Sequence, residues 1–317
     1  MEKTPNISPH LKTNKTSKNI MVDVIIALIP VFIGSIYFFG TRSILIVFSA
    51  VFTCVLSEYI WQKASKKQIT INDYSAVVTG LLIAFNMPVQ TSIWTIVIAS
   101  IFSIIVTKQF FGGIGGNFAN PALVGRAIIM LLWPAQVAKY VTTYHASVDA
   151  VSSATILSLL KNGNDFSQFT KWDMFIGNIP GAIGETSVIL LVIGFLYLSY
   201  RKIVNPVVTG VYLLTVVLIT FVFGPQGLFT GDYLTHLLSG GLMIAACYMI
   251  TDYASFAPRI RVTLAVIAGI LTAGIRLWGI YPEGACFAIL ITNCLAGLVD
   301  RIIKPHIYGM KLKRDKV

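Results

Sequence analysis

The sequence predicts an all-α polytopic membrane protein, with about ten transmembrane helices in two inverted five-helix repeats. Three observations predict it. Of 317 residues, 56% are hydrophobic and only 12% are charged, with a mean hydropathy of +0.77; soluble domains carry charge on about a quarter of their residues. The apolar residues gather into ten segments separated by polar or Gly/Pro-rich joints. The positive charge is concentrated on alternate joints, as in membrane proteins whose orientation is set by Lys and Arg.

Residues 1–19 are polar and basic and read as a cytoplasmic N-terminal segment. The first apolar segment, 20–39, is long and lacks a small-residue cleavage site, so it reads as a span and not a cleavable signal. Pro30 marks a kink within it. The remaining segments are 43–62, 74–87, 92–107, 121–132, 182–200, 207–223, 236–250, 262–277 and 284–299. Those at 74–87, 121–132, 236–250 and 284–299 fall at or below the lower limit of about 17 residues for a crossing. They are read as tilted or broken, and irregular backbone at that depth survives only when buried in protein or lining a cavity.

With a cytoplasmic N-terminus, 18 of the 24 Lys+Arg residues lie on inner joints and tails, Lys108 among them. Only Arg42, Lys139, Lys161 and Lys171 lie outside, and Arg126 and Arg276 fall within segments. Both termini are therefore expected inside and the polar stretch 134–181 outside. The net charge of +11 then follows from topology and excludes a nucleic-acid surface as its explanation. The expected organisation is 1–19 cytoplasmic, 20–133 first repeat, 134–181 outer loop, 182–300 second repeat and 301–317 basic cytoplasmic tail. An odd number of spans per half inverts the halves. Short segments paired between halves mark a central site at the repeat interface.

The loop 134–181 holds Asp149-Ala150-Val151-Ser152-Ser153-Ala154-Thr155. A threonine hydroxyl can carry a phosphoester, so a flavin mononucleotide can be transferred to it by a dedicated enzyme. That enzyme needs an exposed, extended stretch with small residues around the acceptor. Asp149, Ser152 and Ala154 before Thr155 resemble the D-x-x-S-x-A-T acceptor pattern of flavinylated membrane subunits. The competing reading is an N-cap, with Ser152 or Ser153 opening a short helix.

Arg126, one turn into segment 121–132, is an intramembrane ionisable group and a functional candidate. It faces a flavin phosphate or a cavity, or else snorkels or pairs with a carboxylate. Asn117 and Asn120 contact a flavin ring or cap a helix. Arg276 with Glu283 reads as an outer-edge ion pair. Trp61, Trp133, Trp172 and Trp278 read as interfacial aromatics. Cys54, Cys247, Cys286 and Cys294 lie in apolar segments without a C-x-x-C pair, which argues against a disulfide framework and an iron–sulfur cluster held by this chain alone.

Five further strings fall in register with the acceptor stretch: Ser8-Pro9-His10, Thr79-Gly80-Leu81-Leu82, Lys108 through Ala122 with its Gly112-Gly113-Ile114-Gly115-Gly116-Asn117 core, Gly181 through Ser187, and Tyr248-Met249-Ile250-Thr251-Asp252. Together they resemble the family of Rnf complex D subunits and the related B subunits of the sodium-pumping NADH:quinone reductase, over residues 7–306. The B subunits usually carry a longer N-terminal extension, so the D-type side is expected. The resemblance implies a urea-transporter-like fold in a bacterial plasma membrane. It implies FMN in phosphoester linkage to Thr155, with Asp149 and Ser152 read by the flavin transferase, and in some members a second, non-covalent riboflavin. Electrons would enter from ferredoxin or NADH through iron–sulfur and flavin partner subunits and be coupled to Na⁺ or H⁺ movement. Glu185, Asp252 and Asp300 match acidic positions linked to cation transport, against which Asp252 and Asp300 beside Arg259 and Arg301 read as surface pairs. The alternatives are the B-type component of a quinone reductase, a purely structural component, and a solute channel without redox chemistry, since fold does not decide function.

Overall fold

A computed structural model describes residues 16–143, 154–224, 227–251 and 260–302. Asp149, Ser152, Asp252 and the string Ser8-Pro9-His10 lie outside the described residues. The described residues are mostly helical. In order these are α1 Ser17–Phe39, α2 Arg42–Ala64, α3 Ser75–Phe85, α4 Ile93–Ile101, α5 Pro121–Leu132, α6 Pro134–Val137, α7 Ile156–Lys161, α8 Lys171–Ile176, α9 Val188–Tyr200, α10 Pro206–Val222, α11 Tyr233–Leu238, α12 Leu242–Ile244, α13 Arg261–Trp278 and α14 Ala285–Ile302. Two π-helical stretches continue α4 and α12, at Phe102–Gln109 and Ala245–Met249. A two-stranded antiparallel pair, β1 Phe223–Gly224 with β2 Gly227–Leu228, follows α10.

Four helices, α1, α2, α13 and α14, are long and apolar enough to cross a membrane, and five shorter apolar helices accompany them. The protein is a polytopic membrane protein. Its outer face is oily: Phe48, Phe52, Leu45 and Ile33 are all exposed. Its interior is rich in small residues and hydroxyls. Thr79, Ser103, Thr272 and Thr292 are buried and return their hydroxyls to the carbonyl four residues back. Such residues let helices approach closely where lipid supplies no hydrophobic drive. At Gly80 of α3 a Cβ would lie 2.6 Å from Val51 Cα of α2, so only glycine permits that contact. Elsewhere α1 packs on α9, α2 on α4, α10 on α13 and α13 on α14.

Three boundaries differ from the sequence reading. The segment expected at 182–200 is helical only from Val188. Pro180 and Gly181 precede it and Gly184 interrupts its first part, which runs as buried non-helical backbone; Ile183 donates to the carbonyl of Met87 just beyond α3 (3.0 Å) and Gly184 to that of Phe85, the last residue of α3 (2.9 Å). The segment at 236–250, read as tilted or broken, is broken, with its boundary at Ser239-Gly240-Gly241, where Gly240 has φ +68°. The segment 284–299, expected to be short, is an 18-residue helix because Asp300-Arg301-Ile302 continue it.

Side-chain contacts also tie helix ends and joints together. Arg42 Nε donates to Val89 O (2.8 Å), Ser92 Oγ to Gln136 Oε1 (3.0 Å), and Lys161 to the carbonyl of Tyr281 beyond α13 (3.1 Å). Arg201 pairs with Asp23 (3.2 Å) and Gln62 Nε2 donates to Thr70 (2.8 Å).

Candidate functional site

Thr155 is the N-cap of α7. Its backbone is extended, and its hydroxyl oxygen accepts the Ser158 N–H at 3.3 Å. Ala154 is exposed, but Thr155 itself is only 5% exposed. The acceptor threonine is thus less open than its sequence reading. The reason lies just downstream: Ile156 anchors α7 in a small satellite core with Phe169, Met174 and Ile179. A capping box, Thr170 with Asp173, starts α8 beside it. Lys161, at the other end of α7, donates to the carbonyls of Gly279, Tyr281 (3.1 Å) and Ile275 (3.5 Å), in and just beyond the last turn of α13.

One wall of α7 borders a cavity of about 590 Å³, lined by Leu157, Lys161, Asp232, His236, Arg276 and Trp278 among others. Two of its buried polar atoms, His236 Nδ1 and Arg276 Nε, have no hydrogen-bond partner. At its rim Lys171 donates to Asp232 (2.5 Å) and to Thr235. Burial alone would raise the Asp232 carboxyl, but the hydrogen bonds from Lys171 and Thr235 outweigh it and hold the group below its ordinary range. Desolvation lowers the Lys161 ammonium.

A second constellation lies deeper, where the α11–α12 break, α5 and the segment before α14 meet. Arg126 is 2% exposed; it donates to Glu283 (2.5 Å) and Asn86 (2.8 Å) and stands 3.8 Å from Glu185. The Tyr140 hydroxyl donates to Glu283 at 3.3 Å. Arg126 therefore pairs with carboxylates, the second of its two sequence readings. Arg276 does not pair with Glu283 as expected. It donates instead to the carbonyls of His236 and Ser239 (3.3 Å), which the α11–α12 break leaves free.

The third constellation corrects the charge map. Lys108 is not a loop cation: it is 2% exposed, on the π-helix after α4, and donates to both Glu58 oxygens at 2.7 Å and to Ser75 Oγ at 2.6 Å. The helical continuation to Gln109 carries it inward, where Gln109 Nε2 also donates to Glu58 at 2.8 Å. Lys108 borders a cavity of about 100 Å³ whose lining includes Asn117, Asn120, Thr79 and Tyr248. Asn120 caps α5, accepting the Ala122 N–H at 3.0 Å, as its N-cap reading expects. Its own N–H points to the Asn293 amide of α14, at 2.9 Å once that amide is oriented to accept.

The fold thus brings Glu185 to Arg126 and Asn117 to Asn120. It leaves Asp300 apart, half-buried near the end of α14. Glu58, Tyr140 and the partnership of Arg126 with Glu283 escaped the sequence reading. Glu58 was available to it, since a carboxylate inside the apolar stretch 43–62 is itself a signal.

A profile of the NQR2, RnfD, RnfE family matches residues 4–309. The D subunit of the Na⁺-translocating ferredoxin:NAD⁺ oxidoreductase complex of Acetobacterium woodii is 40% identical, covering 98% of this chain and 97% of its own. The D subunit of the proton-translocating ferredoxin:NAD⁺ oxidoreductase complex of Clostridium ljungdahlii is 37% identical, covering 97% and 96%. The D subunit of the ion-translocating oxidoreductase complex of Shigella boydii serotype 18 is 28% identical, covering 95% and 97%. The profile match over residues 4–309 and 40% identity over nearly the full length of both chains mean that this chain belongs to the NQR2, RnfD, RnfE family.

Proposed function

We propose that this chain is the flavin-carrying D-type component of an ion-translocating ferredoxin:NAD oxidoreductase, acting with iron–sulfur and flavin partner subunits in a bacterial plasma membrane. The observation that carries the reading is the place of Thr155. It caps a helix that walls a roomy cavity lined by cationic and aromatic side chains, in a chain 40% identical to the D subunit of such a complex. An FMN phosphoester at Thr155 fits those surroundings. Lys161 and Arg276 complement an anion, Trp278 offers a ring face, and the unpartnered His236 Nδ1 and Arg276 Nε are polar contacts awaiting a partner. When bound, FMN supplies one-electron and two-electron redox chemistry. The chain's own part is to hold it: α7 fixes the anchor, the satellite core fixes α7, and Lys161 ties both to the end of α13. Asp149 and Ser152 serve recognition by the flavin transferase.

The ten-span arrangement in inverted halves 20–133 and 182–300 is part of the same proposal. So are cytoplasmic termini and an outward-facing Thr155 loop. Supporting them is the lopsided division of Lys and Arg, which survives the withdrawal of Lys108 to the interior. The smaller cavity bordered by Asn117 and Asn120 is the proposed place of the non-covalent riboflavin. Glu185, Asp252 and Asp300 are proposed for the path of Na⁺ or H⁺, coupling being a change in helix packing.

The test is in-gel flavin fluorescence of the denatured protein co-expressed with its flavin transferase. A fluorescent band is expected in the wild type and its complete loss in Thr155→Ala. A co-expressed wild type without covalent flavin would overturn the reading.

A further inference from the structure

The cluster around Arg126 contains two carboxylates and one guanidinium that reaches only one of them. Arg126 Nη2 is 2.5 Å from Glu283 Oε2, while Nη1 donates to Asn86 and is 3.8 Å from Glu185 Oε2. Glu185 uses Oε1 to accept the Ala182 N–H at 2.9 Å. Its Oε2 is buried and has no hydrogen-bond partner, and neither does Arg126 Nε. Glu185 as a whole is 3% exposed. Gly241, at the α11–α12 break, keeps the space beside that oxygen clear: a Cβ there would sit 2.9 Å from Glu185 Oε2 and 3.9 Å from Arg126 Nη1. A buried carboxylate with one oxygen left without a hydrogen bond is the form that a proton relieves.

We propose that Glu185 is a proton-binding site whose occupancy is set by which carboxylate Arg126 holds. This deepens the ion-translocation reading and rests on it. With Arg126 on Glu283, Glu185 binds one proton at Oε2, taken from water. When Arg126 moves onto Glu185, the O–H bond breaks and that proton returns to water, leaving Glu283 with the Tyr140 hydroxyl as its donor. No electron is gained or lost in this step. The ionisable groups facing Glu185 are Arg126 from α5, Glu283 and Tyr140 from the segments before α14 and after α6, and Arg276 from α13. Arg276 is committed to backbone carbonyls, so Arg126 is the cation that can change partner. Because α5 and the Glu283 segment lie far apart in sequence, the exchange also makes or breaks a contact between them. Proton occupancy is thereby linked to helix packing.

The test is infrared difference spectroscopy of the full chain in lipid nanodiscs, in H₂O and D₂O, across acid to alkaline pH. The wild type is expected to show the C=O band of a protonated carboxylic acid that titrates with pH, and Glu185→Gln is expected to lose it. Glu283→Gln frees Arg126 for Glu185 and is expected to weaken proton affinity about tenfold or more, a shift of at least about one pH unit in the midpoint. Absence of the band in the wild type would overturn the proposal, as would an unchanged midpoint in Glu283→Gln. Loss of the band on adding Na⁺ at fixed pH would overturn it in favour of a metal-cation site. Covalent flavin on the same samples reports folding and the Thr155 reading independently, so failure of one is distinguishable from failure of the other.

Discussion

The Glu58–Lys108 pair and the Arg126–Glu283–Glu185 cluster are both shut away from solvent and both built from ionisable side chains, yet they differ in how far their hydrogen bonds are completed. Lys108 directs its ammonium to both Glu58 oxygens and to Ser75, and Gln62 and Gln109 add donors to Glu58. The contributing elements, α2, α3 and the π-helix after α4, are neighbours in sequence and in space. The second cluster draws on elements far apart in the chain and leaves Glu185 Oε2 and Arg126 Nε unpartnered. A completed pair of buried charges resists change, because every alternative strands an ion. An incomplete one has a second arrangement within reach. The same chemistry thus serves as a fastening in one place and as a movable contact in the other.

The largest effect is expected from Lys108→Met. It leaves Glu58 as an unpaired buried carboxylate, a loss of about 3–5 kcal/mol, read as a fall in thermal stability in detergent. The double variant Glu58→Gln with Lys108→Met is expected to recover most of it. If the double variant is as unstable as the single one, the pair does not fasten α2 to the end of α4. Arg126→Met comes next, at about 1–3 kcal/mol, smaller because Glu283 keeps the Tyr140 hydroxyl as a donor and Glu185, protonated in this arrangement, needs no counter-ion. A loss equal to that of Lys108→Met would erase the contrast between the clusters.

The smallest effect belongs to the half-exposed Lys171–Asp232 pair. Asp232→Asn is expected to cost about 0.2–1 kcal/mol, diminishing with salt. Its pH dependence has a definite sign. The carboxyl is held below its ordinary range in the fold, so its contribution is present above the unfolded value of about 3.9. That contribution is lost as acid carries the pH down through the folded value. Wild type and Asp232→Asn should therefore differ in chemical unfolding at neutral pH and converge in acid.

Hydropathy located the long helices within a few residues, because a helix that faces lipid must be apolar throughout. Periodicity carried no information about the π turns, and the non-helical backbone before Val188 was not foreseen; segment 236–250 was read as tilted or broken, but not the place of its break at Ser239-Gly240-Gly241. All three depend on partners elsewhere in the fold. Gly184 leaves the helical path because its N–H is taken by Phe85 O, a contact formed only in three dimensions. The same limit explains Lys108. Counted along the chain it is one more cation near a span end, and only the geometry of α2 and α4 reveals its carboxylate. Arg126 was legible as an unusual charge in apolar surroundings, and Glu185 through the family resemblance. Glu283, the carboxylate that Arg126 holds, was not, since it lies seven residues after Arg276 and suggests that pairing first.

The π-helix at Phe102–Gln109 can be viewed as an α-helix that has accommodated one additional residue. Each residue in an α-helix turns the chain by about 100°, so the stretch beyond that point is rotated relative to an uninterrupted helix. A chain one residue shorter between Phe102 and Thr107 could form a regular helix with stronger backbone bonds. Lys108 would then be swung around the helix axis, away from Glu58. In this part of the protein, chain length and charge are interdependent: a deletion that improves the local helix would put an ammonium group towards the lipid.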